Sequence, residues 1–127
     1  MTVPQRRIFL LLAAGLVVWA ITPWTDFVGH PHWDDVQWIP FVTPPIRAID
    51  VLGNVVLFVP LGVAIASIWP DHQLLRAGTW ALLMSVAGEW AQLYSHNRFP
   101  STTDILCNFV GALIGVRLLR AATARSR

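Results

Sequence analysis

The sequence predicts an all-α fold: a four-helix transmembrane bundle with both termini in the cytoplasm. Its composition is the first reason, because 55% of the 127 residues are hydrophobic and 13% are charged. The charged share is about half that of an ordinary soluble domain. Buried helices of a soluble protein would also be apolar, but such a protein would have almost no residues left for a polar surface. We therefore expect a single membrane domain, residues 1–127.

Four apolar runs are the second reason. They span residues 8–24, 51–69, 77–94 and 105–119. Each is close to the roughly 20 residues that cross a bilayer core of about 30 Å. Pro23 lies at the end of the first run and Pro70 directly after the second, and proline interrupts helical hydrogen bonding. Each run is therefore predicted to form one membrane-spanning helix.

The arginine positions are the third reason, and they predict the orientation. Seven arginines lie before the first run, in the turn after the second run, or near the end of the fourth run. They are Arg6, Arg7, Arg76, Arg117, Arg120, Arg125 and Arg127. Only Arg47 and Arg98 fall in the two remaining loops, residues 25–50 and 95–104. Positive charge accumulates on the cytoplasmic side of membrane proteins. We therefore expect both termini inside and these two loops outside.

Polar side chains recur at matching positions in the apolar runs. The pattern D-x-L-x-N occurs at residues 50–54 and again at residues 104–108, each time at the outer start of a run. The spacing of four places each aspartate and its asparagine on one helix face. An aspartate at a helix start can cap free backbone N–H groups. Capping does not explain the asparagine one turn deeper.

The third run carries Glu89 and Gln92 near its outer end. Glu89 lies roughly 7 to 8 Å from that end at about 1.5 Å per residue. Because the third helix runs opposite to the second and fourth, Asn54 and Asn108 are expected at a similar depth. Placing an acid within a membrane span costs on the order of 2.5 to 3.5 kcal/mol. We therefore expect Glu89 to point into the bundle beside an arginine, Arg98 in the first place.

Two explanations of this polar cluster remain open. Its members are Asp50, Asn54, Glu89, Gln92, Arg98, Asp104 and Asn108. The cluster can be structural, joining helices by hydrogen bonds while Gly62, Gly111 and Gly115 allow close packing. It can also line an outward-facing pocket that binds a ligand. The pocket is favoured because three acids and three amides exceed what packing requires.

Metal and cofactor sites are not expected. His30, His32, Asp34 and Asp35 have suitable ligand types, but their spacing matches no zinc pattern. The sequence contains no P-loop, nucleophile elbow or HExxH motif. Cys107 is the single cysteine, so no intrachain disulfide can form.

The outer loops carry aromatic residues that suit a membrane–water interface. They are Trp24, Trp33, Trp38 and Phe99. We expect these four residues to frame the mouth of the polar pocket, where they could hold an acyl chain or a ring.

The stretches IDVLGNVVLFVPLG and GEWAQLYSHNRFPSTTDILCNFVGALIG resemble the VanZ-like family of small integral membrane proteins, over residues 49–119. The residues that match are Asp50, Asn54, Pro60, Gly62, Glu89, Gln92, Arg98, Asp104, Asn108 and Gly111. The family takes its name from a protein linked to resistance to teicoplanin, a lipoglycopeptide. The resemblance implies a multi-pass protein of the bacterial cytoplasmic (inner) membrane. Antibiotic resistance and a housekeeping envelope role are both compatible with it.

Three functions fit these observations. In the favoured one, the protein is not an enzyme and binds an amphipathic envelope component, such as a lipid-linked precursor, or a lipoglycopeptide-type drug. The second is an intramembrane enzyme using Glu89 with Asp50 or Asp104 as acid and base or as metal ligands. The third is a helper subunit with a protein partner in the membrane. Membrane lipids are expected partners throughout, and nucleic acid is not.

Overall fold

The computed structural model describes residues 1–42 and 47–126. Within them lie four α-helices, α1 (Val3–Ile21), α2 (Ala48–Ile68), α3 (Gln73–Gln92) and α4 (Thr102–Arg125), and a 3-10 helix, Trp33–Asp35. These ranges contain isolated β-bridges but no strand. The all-α prediction is confirmed. Part of the predicted outer loop, residues 43–46, and Arg127 of the arginine count lie outside the described residues.

The helices extend past the apolar runs at both ends of the chain. α1 begins at Val3, and α4 continues to Arg125. The Gln5 side chain caps the start of α1, because its Oε1 accepts a hydrogen bond from the Thr2 N–H at 2.8 Å. Arginine and alanine have high helix propensity, so a helix can continue beyond its apolar part. The apolar run marks only the portion of the helix that suits a bilayer.

Three of the helices, α1, α2 and α4, are long and apolar enough to cross a membrane. Within the described residues, α3 does not reach the same hydropathy, because glutamine, arginine, serine and glutamate interrupt its apolar positions. It nevertheless packs against all three other helices. Three membrane spans are therefore supported by composition, and the fourth stays a prediction.

The α2–α4 pair forms the most extensive helix contact. Three glycines lie in this contact, and a Cβ on any of them would collide with backbone atoms of the facing helix. The pairs are Gly62 with Ala112, Gly111 with Val55, and Gly115 with Val59. Small residues allow helix backbones to approach in this way. These glycines therefore let α2 and α4 pack backbone against backbone.

The two ends of the helix bundle contain different kinds of residues and contacts. At one end, which we call the arginine-rich end, Arg6 Nη1 donates to the Ser67 carbonyl at 2.6 Å and Arg120 Nε donates to Gln73 Oε1 at 2.7 Å. At the other, the loop end, residues 22–42 meet residues 93–101. The Val28 N–H donates to the Tyr94 carbonyl there at 2.8 Å. The loop end is where the polar side chains gather.

Candidate functional site

A cavity of about 600 Å³ lies at the loop end, and residues from all four helices line it. We call it the polar cavity. All seven members of the predicted cluster are in its wall: Asp50, Asn54, Glu89, Gln92, Arg98, Asp104 and Asn108. The remaining lining residues are Ala20, Ile21, Ile49, Gly53, Leu57, Asn97 and Phe99.

The alternating directions of the helices bring these side chains together. α3 ends at the loop end, whereas α2 and α4 begin there. Asp50 and Asn54 lie in the first two turns of α2, and Asp104 and Asn108 occupy the corresponding turns of α4. A spacing of four keeps each pair on one face. The asparagines consequently lie one turn deeper than the aspartates.

Glu89 points into the bundle, with 8% of its surface exposed. Its Oε2 accepts the backbone N–H of Ser101 at 2.6 Å. Ser101 is the N-cap of α4, and its hydroxyl accepts the Thr103 N–H at 3.2 Å. Glu89 therefore satisfies a backbone donor at the start of α4. The carboxylate holds α3 to the helix that carries Asp104 and Asn108.

Arg98 lines the same cavity as Glu89, but its hydrogen bond goes elsewhere. Its Nη1 donates to the Ala20 carbonyl at 2.8 Å. Gln92 Nε2 also donates to α1, to the Ile21 carbonyl at 3.3 Å. The last carbonyls of a helix have no partner within it and carry partial negative charge, so they attract such donors. Glu89 and Arg98 therefore line one cavity, while the hydrogen bond of Glu89 is made with the Ser101 backbone.

The wall contributed by α1 was not anticipated from the sequence. Ala20 and Ile21 are apolar residues without a motif, and they enter the site through their carbonyl groups. Every residue has such a carbonyl, so no sequence signal distinguishes these two. Asn97, which was not assigned to the site from the sequence, also lies in the cavity wall.

Asn108 is buried with 1% of its surface exposed. Its Oδ1 has no hydrogen-bond partner in the part of the chain that the structure describes. Leaving a buried acceptor unpaired costs roughly 1 to 3 kcal/mol. Such a group calls for an explanation, and the residue that carries it is part of the wall of the polar cavity.

A second cavity, of about 340 Å³, shares Glu89 with the polar cavity as a lining residue. We call it the tryptophan cavity, because Trp33, Trp38 and Trp90 line it. The Gln37 N–H donates to the Pro100 carbonyl at 2.8 Å, which places Trp38 here. Of the four aromatic residues expected around the polar cavity, Phe99 is the member found in its wall. Trp33 and Trp38 line the tryptophan cavity instead.

Comparison with known protein families shows which family the chain belongs to. The family model described as VanZ/LLP1 matches residues 8–123. The chain belongs to the VanZ/LLP1 family. The matched range contains every residue of the polar cavity, and the resemblance seen in the sequence is confirmed. Neither a curated protein nor a solved structure gives a match.

The acidic residues of this VanZ/LLP1 protein do not converge as a set of metal ligands. Among residues 1–42 and 47–126, no group of three His, Cys, Asp or Glu side chains is placed to hold a metal ion. In the HPHWDD segment, His32 lies against His96, with their ring centroids 4.9 Å apart. His32 Nδ1 is also 3.1 Å from the Ser95 carbonyl oxygen. These contacts join the two loops to each other.

Proposed function

We propose that this VanZ/LLP1 membrane protein binds an amphipathic envelope component, or a lipoglycopeptide-type drug, in its polar cavity. The convergence of seven polar side chains on one cavity is the observation that carries the proposal. In a purely structural cluster, buried amides hydrogen-bond across helices. Gln92 does so with the Ile21 carbonyl, whereas the Asn108 Oδ1 is buried without a partner in the described part of the chain.

The size and surroundings of the cavity support this proposal. Ligand pockets usually measure about 300 to 1,000 Å³, and the polar cavity falls within that range at about 600 Å³. The tryptophan cavity shares Glu89 with it and has an apolar wall. A polar head in the first cavity and hydrocarbon against the second would match an amphipathic ligand.

The proposal places the loop end on the outer face of the cytoplasmic membrane. The contacts of Arg6 with Ser67 and of Arg120 with Gln73 put both terminal segments and the α2–α3 turn at the arginine-rich end. Because positive residues favour the cytoplasmic side, reporters fused after Leu74 and after Asn97 should read inside and outside. Phosphatase and fluorescent-protein fusions measure this. The reverse pattern would overturn the orientation.

Binding should depend on the two asparagines. We expect Asn54→Ala and Asn108→Ala each to weaken binding about twofold to tenfold, since a hydrogen bond contributes about 0.5 to 1.5 kcal/mol. Native mass spectrometry with teicoplanin and with a polyprenyl phosphate as probes measures the bound fraction. Gln73→Ala is the control, because it removes an amide at the arginine-rich end.

Membrane levels separate binding from structure in this test. The asparagine variants should reach the membrane in normal amounts. If they lose binding only because they fail to accumulate, the residues are structural and the binding proposal fails. If neither probe binds the unmodified protein, these two ligand classes are wrong.

A further inference from the structure

We infer that the arginine-rich end of the bundle binds an acidic phospholipid, with an acyl chain in a groove between α1 and α3 and its phosphate against Arg7 and Arg76. The site lies at the opposite end of the bundle from the polar cavity, so it does not depend on the proposed function. Two observations lead to it. One is an apolar groove confined to this end, and the other is the pair of arginines that lie one helical turn beyond it.

The groove, which we call the α1–α3 groove, has a volume of about 330 Å³ and is lined by leucine, isoleucine, alanine, methionine and tryptophan side chains. Its floor is α2, where Leu61 and Ile65 are buried. From Leu61 to Trp69 the floor extends about 12 Å, at about 1.5 Å per residue. That is less than half of a hydrocarbon core of about 30 Å. The groove therefore suits a chain from one leaflet, the leaflet at the arginine-rich end.

The two walls of the groove, α1 and α3, each carry an arginine one turn closer to the arginine-rich end. Arg7 precedes Leu11 by four residues, and Arg76 precedes Trp80 by four. This spacing places each pair on one helix face, and Leu11 and Trp80 line the groove. Helical side chains lean toward the N-terminus, and α1 and α3 both begin at this end. The two guanidinium groups are therefore directed toward the level of lipid head groups.

The Arg76 guanidinium is held beside the groove by an aromatic contact. It lies 6.0 Å from the ring centroid of Trp69, which lines the groove. Such a contact orients the cation and leaves its N–H donors for oxygen acceptors. Arg6 and Arg120 at the same end already donate to the Ser67 carbonyl and to the Gln73 side chain. Phosphate oxygens are acceptors that a guanidinium binds strongly.

The charge at this end favours an anion over a zwitterion. Asp71 is the one acid there in the described part of the chain, against six arginines: Arg6, Arg7, Arg76, Arg117, Arg120 and Arg125. Arginine clusters beside membrane helices attract acidic lipids. A free phosphate would meet the arginines but leave the apolar groove unfilled, and a zwitterionic lipid would fill the groove without supplying net charge. An acidic phospholipid matches both features.

Competition between two phospholipids with the same acyl chains tests this selection. Phosphatidylglycerol and phosphatidylcholine are added in equal amounts to the full-length protein in detergent micelles, and native mass spectrometry counts the lipids that stay bound. We expect phosphatidylglycerol to be retained at least about fivefold more, which is the factor that one basic residue near a membrane surface contributes. Glycerol 3-phosphate, a phosphate head without chains, should not displace it at the same concentration.

Two arginine variants assign the preference to the α1–α3 groove. Arg76→Gln should lower the preference for phosphatidylglycerol at least about threefold, most of the contribution of one basic residue, and Arg7→Gln should act in the same direction. The matched control is Arg117→Gln, which removes the same charge at an exposed position of α4. Within the described residues α4 contributes nothing to the groove, so this variant should keep the preference.

A photoactivatable phosphatidylglycerol with a diazirine in its acyl chain locates the bound chain. Peptide mass spectrometry should find the label on the groove residues of α1 and α3, such as Leu11, Trp80 and Met84. A label spread evenly over the outward faces of all the helices would overturn the inference.

The competition has equally clear contrary outcomes. If phosphatidylcholine is retained as well as phosphatidylglycerol, or if glycerol 3-phosphate displaces the lipid, the acidic-phospholipid site is wrong. If Arg76→Gln behaves like Arg117→Gln, the preference reflects the overall charge of this end, and the site is again wrong. None of these variants alters a residue of the polar cavity, so each of these results leaves the proposed function standing.

Discussion

Gly111→Ala is expected to destabilise the protein by about 3 kcal/mol, the upper part of the usual range for overpacking. A Cβ at this position would collide with the backbone of Val55 on α2. Backbone atoms cannot rotate away as a side chain can, so relief requires moving one helix from the other. The α2–α4 contact is the most extensive in the bundle. Unfolding of the purified protein in mixed micelles measures the loss.

Gly53→Ala and Gly15→Ala are the matched controls for that experiment. Apart from the adjoining backbone of the same helix, no atom of the described chain lies within 4 Å of a Cβ built at either position. Alanine is favoured over glycine in a helix by about 1 kcal/mol, so both changes should be neutral or stabilising. If Gly111→Ala behaved like these two, α2 and α4 would not pack as closely as described.

Glu89→Leu is expected to cost about 2 to 3 kcal/mol, because it leaves the buried N–H of Ser101 without its acceptor. That donor lies 2.6 Å from Glu89 Oε2 at the start of α4. Thermal unfolding should show the loss of stability. Hydrogen exchange should be fastest in the first turn of α4, where the hydrogen bond is removed.

Glu89→Gln separates the acceptor from the charge. The amide oxygen of glutamine can still accept from Ser101, so this variant should retain most of the stability lost in Glu89→Leu. It removes one carboxylate from the polar cavity, and we expect weaker ligand binding. Normal binding by Glu89→Gln would mean that the charge has no role and that Glu89 is structural. Equal instability of the two variants would contradict the hydrogen bond to Ser101.

Much of the polar cavity was predictable because its residues follow helix periodicity. The spacing of Asp50 with Asn54, and of Asp104 with Asn108, places each pair on one face whatever the surrounding structure. The alternation of apolar runs then requires neighbouring helices to run in opposite directions. The depth of Glu89 relative to the asparagines follows from the rise per residue. Local geometry was sufficient for these positions.

The hydrogen bonds in the wall were not predictable in the same way. Glu89 was expected beside Arg98, and both line the polar cavity; their hydrogen bonds, however, go to backbone groups, from the Ser101 N–H to Glu89 and from Arg98 to the Ala20 carbonyl. An ion pair can be anticipated from two charged residues. A backbone partner cannot, since every residue has the same carbonyl and nearly every residue the same N–H. Whether a particular backbone carbonyl or N–H group is free to bond a side chain depends on where a helix begins or ends and on which side chains of the other segments lie beside it.

By itself, the sequence determined the all-α class, the family and the set of polar residues at the loop end. These depend on composition, on periodicity and on motifs within single helices. Only the tertiary structure decided that α1 closes the cavity with its last carbonyls, and that Trp33 and Trp38 line a separate cavity. It also decided that the Asn108 acceptor is unpaired. These features depend on contacts between segments far apart in the chain, and such contacts form only when the helices and loops pack together.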